Sequence, residues 1–222
     1  MLQIVIGSLT MITAFIVSVR YYRELDPKWL QLFVWFTIVQ ILFQFGGYYY
    51  VILTGIRDNI FLYNINIFIE YGFYLFLFFK AVKGVWAKRI TLVMLVGFTL
   101  LYLFEVFIKH PFVIQGSTYN SLMCNIGEFL TIIGCFIFLV ELMLTDEYVH
   151  IVQIPMFWVT TGIMIQIVGI FMLMSFSDYI TLHQLDPDGW LYGTITTVCC
   201  VIQYGLITIG LLARKIWAES KL

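Results

Sequence analysis

Lys80-Ala81-Val82-Lys83-Gly84-Val85-Trp86-Ala87-Lys88-Arg89 places four cations in ten residues between two long apolar runs. Each flanking run approaches the roughly 20 residues that a helix needs to cross ~30 Å of hydrocarbon. The same arrangement recurs at alternate gaps along the chain. Arg20, Arg23 and Lys28 fill the first gap, and Arg214, Lys215 and Lys221 follow the last apolar run. Of the 12 Lys and Arg residues, only Arg57 and Lys109 fall in the intervening gaps. Membrane insertion retains Lys and Arg on the cytoplasmic side. The sequence therefore predicts an all-α integral membrane protein, a seven-transmembrane helix bundle with its N-terminus outside and its C-terminus cytoplasmic. The expected spans are 2–19, 29–54, 60–82, 90–108, 119–143, 155–176 and 189–213, with residues 1–222 forming a single domain.

Composition agrees with that pattern. The 222 residues are 62% hydrophobic and 11% charged, against about 25% charged in a soluble domain. Mean hydropathy is +0.96. The lipid bilayer is the expected surrounding, since so apolar a chain has too little polar surface to face water. A net charge of −1 leaves no basic excess for nucleic acid. The chain opens Met1-Leu2-Gln3 without a basic leader, and Arg20-Tyr21-Tyr22-Arg23 follows its first apolar run. That run is read as a retained span rather than a signal peptide.

Turn chemistry falls between the spans. Asp26-Pro27 precedes the second, Pro155 opens the sixth, and Asp186-Pro187-Asp188-Gly189 reads as a capped turn before the seventh. None of the four prolines (27, 111, 155, 187) lies deep in a span, so the helices are expected to run unbroken. Trp29, Trp86, Trp158, Trp190 and Trp217 fall at predicted interfaces, where amphipathic rings concentrate. Trp35 is the exception.

Ionisable groups within the hydrocarbon are costly, which makes them the first place to look for function. Glu70 lies near the middle of the third span, with Asn66 one turn away on the same face. Ser121, Asn125, Glu128, Thr131 and Cys135 follow helical spacing along the fifth. Gln40, Gln44 and Gly47 do so in the second span, Gly162, Gln166 and Gly169 in the sixth, and Gly193, Thr197, Cys200 and Tyr204 in the last. If these stripes converge, they line a polar pocket in the outer half of the bundle. The candidate ligand- or proton-binding residues are then Glu70, Glu128, Asn66, Asn125, Gln44, Gln40, Gln166 and Tyr204. The bland alternative is interhelical glue, in which a buried amide contributes about 0.6 kcal/mol per contact.

Several chemistries lack their residues. A retinal Schiff base needs a lysine deep in the last span, and there is none. His110, His150 and His183 fall in gaps on both sides, which does not suit a three-histidine zinc site. Cys124, Cys135, Cys199 and Cys200 lie within spans and read as small packing residues. Asp186-x-Asp188-Gly189 lacks the closing glutamate and remaining ligands of a calcium loop. Neither a metal nor a cofactor is expected.

Leu62-Tyr63-Asn64, Glu70-Tyr71 and Phe73-Tyr74-Leu75, with Pro155-x-Phe157-Trp158 before Gly162, resemble the third and sixth helices of a family of uncharacterised small seven-helix membrane proteins of Bacteroidota. The Tyr204 region leading to Arg214-Lys215 is similar to that family's last helix. Many members carry an acidic residue in the second helix, where this chain has Gln44. The resemblance implies a multi-pass protein of the bacterial inner (cytoplasmic) membrane, and brings no activity. In layout the chain is also similar to the membrane sensor regions of histidine kinases.

The expected function is a binding or sensing module for a small amphipathic ligand or lipid, signalling through a membrane protein partner. The alternatives are a proton-coupled transporter, a lipid-modifying enzyme and a structural subunit.

Overall fold

The computed structural model describes residues 2–25, 27–55, 59–109, 119–144, 151–186 and 189–218. Met1, Asp26, Arg57, His110, Pro111, His150, Pro187, Asp188 and Lys221 lie outside the described residues, as do the side chains of Lys109, Arg214 and Trp217. Among the described residues all regular structure is helical. The helices are α1 (Leu2–Arg20), α2 (Leu32–Thr54), α3 (Ile60–Ala81), α4 (Val85–Phe104), α5 (Ser121–Met143), α6 (Pro155–Ser175), α7 (Ser177–Leu182) and α8 (Trp190–Ala218).

Where the helix bounds depart from the sequence expectation, local chemistry accounts for them. Pro27 is extended, and a 3₁₀ turn over Lys28–Gln31 precedes α2, so the α-helix begins at Leu32 rather than 29. Helix α4 begins at Val85, immediately after the extended Gly84, rather than at 90. It ends in a π-helical segment, Glu105–Lys109, in which Glu105 is buried. The gap after α6 holds the short helix α7. Helix α8 runs 29 residues, past the expected end at 213. Gly55 closes α2 at φ +67°, a conformation that favours glycine.

Six of the helical segments are long and apolar enough to cross a membrane, and α1 contributes a shorter apolar stretch, Val5–Arg20. At most 39% of any of the six apolar windows is buried inside the protein. Leu42, Leu53, Val93, Leu100 and Phe107 are all more than 60% exposed. Apolar surface on this scale is costly in water and needs no compensation in lipid. The helices are those of a multi-pass membrane protein.

The chain divides into two compact units, one of Met1–Thr37 with Met143–Leu222 and one of Ile38–Leu142. In the first unit α8 packs against α6 and α1. Small residues set the α6–α8 approach. A Cβ on Gly162 would sit 2.9 Å from the Gln203 carbonyl oxygen, and one on Gly210 would sit 2.7 Å from that of Pro155. In membranes, where lipid removes the hydrophobic drive between helices, such close backbone contact is what holds them together. Trp158 Nε1 donates to the Val152 carbonyl at 2.8 Å and anchors the start of α6.

The second unit comprises most of α2 with α3, α4 and α5. Its aromatic core stacks Phe68 on Tyr102 at 4.7 Å and sets Tyr71 edge-on to Phe98. Asn64 ties three helices at one end of the unit. Its Oδ1 accepts the Asn120 N–H at 2.9 Å, and its carbonyl accepts the Tyr102 hydroxyl at 2.7 Å. At the other end, Glu141 of α5 accepts the backbone N–H groups of Lys83 and Gly84, which precede α4.

Candidate functional site

Glycine spacing on α5 creates the site. Gly127 and Gly134 lie seven residues apart, two turns along one face. The ring of Tyr71 occupies the space where a Gly127 side chain would lie. A Cβ on Gly134 would sit 2.7 Å from Phe78 Cδ2. Helix α3 therefore lies close against α5, and Tyr71 passes Gly127 to reach the next residue, Glu128.

Two polar clusters result. In one, Asn66 Nδ2 donates to Gln40 Oε1 and to Glu70 Oε2, both at 3.3 Å. The Tyr74 hydroxyl donates to the other Glu70 oxygen at 3.1 Å. Tyr74 lies one turn beyond Glu70 and Asn66 one turn before it, so α3 itself supplies both donors. Glu70 remains partly exposed, whereas Tyr74 is fully buried. Gln40 Nε2 and Asn66 Oδ1 are buried and meet no hydrogen-bond partner among the described residues.

The second cluster surrounds Glu128, which is 0% exposed. The Tyr71 hydroxyl donates to its Oε1 at 3.3 Å, and the Cys124 thiol donates to the same oxygen at 3.7 Å. The Tyr119 hydroxyl donates to Cys124 Sγ at 3.1 Å. Oε2 of Glu128 has no hydrogen-bond partner among the described residues. The clusters abut at the consecutive residues Glu70 and Tyr71, and the two carboxyl groups lie within electrostatic reach of one another. Carboxyls held this way can bind and release protons, and the amides beside Glu70 can orient a polar headgroup. Among the described residues no three His, Cys, Asp or Glu side chains converge to hold a metal ion.

The structure thus gathers Gln40, Asn66, Glu70 and Glu128 within one unit. Gln44 and Asn125 are exposed and lie outside both clusters. Gln166 and Tyr204 belong to the other unit, on α6 and α8. Tyr204 is buried there, and Gln166 has a buried Oε1 without a protein partner. Tyr71, Tyr74, Tyr119 and Cys124 were not among the expected site residues. Two of them had a legible signal: Tyr74 is four residues after Glu70 and Cys124 four before Glu128.

A separate shallow cleft in the first unit is lined by Val19, Arg20, Tyr22, Arg23, Glu24 and Val34. Its two guanidinium groups lie just beyond the apolar part of α1.

No family model, no curated protein and no solved structure matches this chain.

Proposed function

We propose that this chain is a membrane-embedded binding or sensing module for a small amphipathic ligand or lipid. The observation that carries the reading is the Asn66 amide shared between Gln40 and Glu70. It holds a carboxamide and a carboxylate in fixed relation, the Tyr74 phenol donates to the same carboxylate, and Glu70 is still partly exposed. One buried donor, Gln40 Nε2, and one buried acceptor, Asn66 Oδ1, are left over. A headgroup carrying both a donor and an acceptor would satisfy them after small side-chain rotations. The apolar helix faces would take its tail.

The orientation belongs to the same proposal: seven spans in a bacterial inner membrane, with the N-terminus outside. Its support is the alternation of cationic and cation-poor gaps. Signalling would then run through a membrane protein partner that senses ligand-dependent packing of α3 against α5. The likeness to small membrane proteins of Bacteroidota fits this setting.

The test is thermal unfolding of the purified protein with single lipids of zwitterionic, anionic and fatty-acid type, and with small amphipathic metabolites. Wild type and Glu70→Gln are compared. At a ligand concentration 100 times Kd, linkage predicts about 2.7 kcal/mol of stabilisation. One ligand class should stabilise wild type and leave Glu70→Gln nearly unmoved. A panel in which nothing favours wild type over the variant removes the reading.

Proton-coupled carriage is the second reading, favoured by the complete burial of Glu128. Vesicles containing the protein should then take up solute on a pH step, and flux equal to that of empty vesicles would eliminate it.

A further inference from the structure

We propose that Glu128 is a proton-binding site loaded from the aqueous boundary through the Tyr119 hydroxyl and the Cys124 thiol. Three observations carry this, and none involves the Gln40–Asn66 pair, so it stands or falls apart from the ligand reading. First, the hydrogen bonds run in one direction. Tyr119 donates to Cys124 Sγ at 3.1 Å, and Cys124 donates to Glu128 Oε1 at 3.7 Å. Cys124 accepts from Tyr119 and donates to Glu128, which is what the middle member of a proton relay requires. Second, exposure falls along the chain. Tyr119 is 39% exposed, Cys124 4% and Glu128 0%. Third, Glu128 Oε2 is buried without a partner among the described residues, so these do not lock the carboxyl into a closed set of hydrogen bonds.

Among the described residues the titratable groups around Glu128 are few. Its own helix supplies Cys124, and α3 supplies Tyr71 and Glu70. Tyr71 lies 3.5 Å from Sγ and 3.3 Å from Oε1. It steadies both groups, but at 7% exposed it offers no entry of its own. Glu70 is half-buried and donates nothing to Glu128, so among the described residues Tyr119 is the exposed group whose hydrogen bonds lead to it.

The transfer balances. A hydronium ion at the boundary gives a proton to the Tyr119 oxygen as the phenolic proton passes to Sγ. The thiol proton passes to Glu128 Oε1. Each O–H or S–H bond that breaks is replaced by one formed a single place along. The net change is one proton lost from water and one gained by the Glu128 carboxylate.

The test is time-resolved infrared spectroscopy of the full chain in micelles after a sudden drop in pH. The carboxyl band that Glu128→Gln abolishes reports the site. Tyr119→Phe and Cys124→Ala should slow the growth of this band about tenfold or more, with its final amplitude unchanged. Cys124→Ser, which keeps an exchangeable proton on the relay, should restore most of the rate. Circular dichroism monitors folding of each variant. Should Tyr119→Phe fail to fold, the Cys124→Ala and Cys124→Ser pair decides alone. Equal rates in those two, or no band lost in Glu128→Gln, would overturn the proposal. If the interactions are purely structural, amplitude and stability change and the Ala–Ser rate difference is absent.

Discussion

Tyr71 of α3 donates its hydroxyl to Glu128 of α5 at 3.3 Å, while its neighbour Glu70 is held by Asn66 and Tyr74 of its own helix. Two acids on two helices are thus both served by donors of α3: Asn66 and Tyr74 for Glu70, and Tyr71 for Glu128. Helix α3 is the common element: a shift of α3 along α5 would change the Tyr71–Glu128 contact, whereas Glu70 carries its own-helix donors Asn66 and Tyr74 with it.

Tyr71→Phe isolates that relationship. The ring and its packing against Gly127 and Phe98 persist, and only the hydroxyl is lost. An average interhelical hydrogen bond in a membrane protein contributes about 0.6 kcal/mol. Here the loss leaves a fully buried carboxyl with the Cys124 thiol alone, so the expected cost is larger, about 1–3 kcal/mol. Unfolding of the purified protein in graded denaturing detergent measures it. A loss no greater than that of an exposed control such as Tyr63→Phe would show that the contact does not hold the helices.

Gly134→Ala tests the close approach itself. The new methyl would lie 2.7 Å from Cδ2 and 3.1 Å from Cγ of Phe78, a ring that is 0% exposed and cannot swing into open space. Overpacking of this kind costs about 1–3 kcal/mol. Gly97→Ala on α4, where nothing lies within 4 Å of the added carbon, serves as control and should be nearly neutral. Comparable losses in the two would mean that the α3–α5 contact is looser than described.

The same seam explains what the sequence could and could not reveal. Hydrophobic run length was enough to locate the long apolar helices, though not the start of α4 or the short α7, and the spacing of Asn66 and Glu70 was enough to place those two on one face. The polar stripe of α5 proved a poorer guide. Relative to Glu128, Asn125 lies about 60° around the helix to one side, whereas Cys124 and Thr131 lie about 40–60° to the other. The buried face is centred on the second side, toward Gly127, because the glycines admit α3 there. Asn125 is consequently exposed, and Cys124 is a hydrogen-bonding member of the site rather than a small filler. On α2, the contact with α3 runs through Gln40 and Gly47, whose carbonyl accepts from Asn59 Nδ2. Gln44 lies about 40° off that line and is exposed. Polarity marked the stripes, but residue size decided which edge was buried.

The proposed orientation has its own test at the two ends of the second unit. Ser121 is exposed at the start of α5, and Lys83 is exposed between α3 and α4. With cationic gaps in the cytoplasm, Ser121→Cys should react with a membrane-impermeant thiol reagent added to intact cells. Lys83→Cys should react only after lysis. Of the native cysteines, Cys124, Cys135 and Cys199 are buried and Cys200 is half-buried, so both variants are made in a Cys200→Ala background. The reverse pattern would invert the orientation.

Asp186 governs the start of α8 in a pH-dependent way. Its carboxylate oxygens accept the N–H groups of Leu191 and Tyr192, both at 2.9 Å, which satisfies two of the free donors at the helix start. These backbone donors lower its pKa below the ordinary aspartate value of 3.8. The sign follows from which form the fold prefers. The folded state favours the ionised carboxylate, so the cap contributes fully above about pH 4, and its contribution is lost as pH falls through the lowered folded value. Hydrogen exchange of the Leu191 and Tyr192 amides should therefore show protection that is constant at neutral pH and declines only on strong acidification. Asp186→Asn retains an oxygen acceptor but no titratable group, so it should reduce protection and remove this acid dependence. Asp186→Ala should lose the protection at every pH. A variant that titrates like wild type would show that another group controls the helix start.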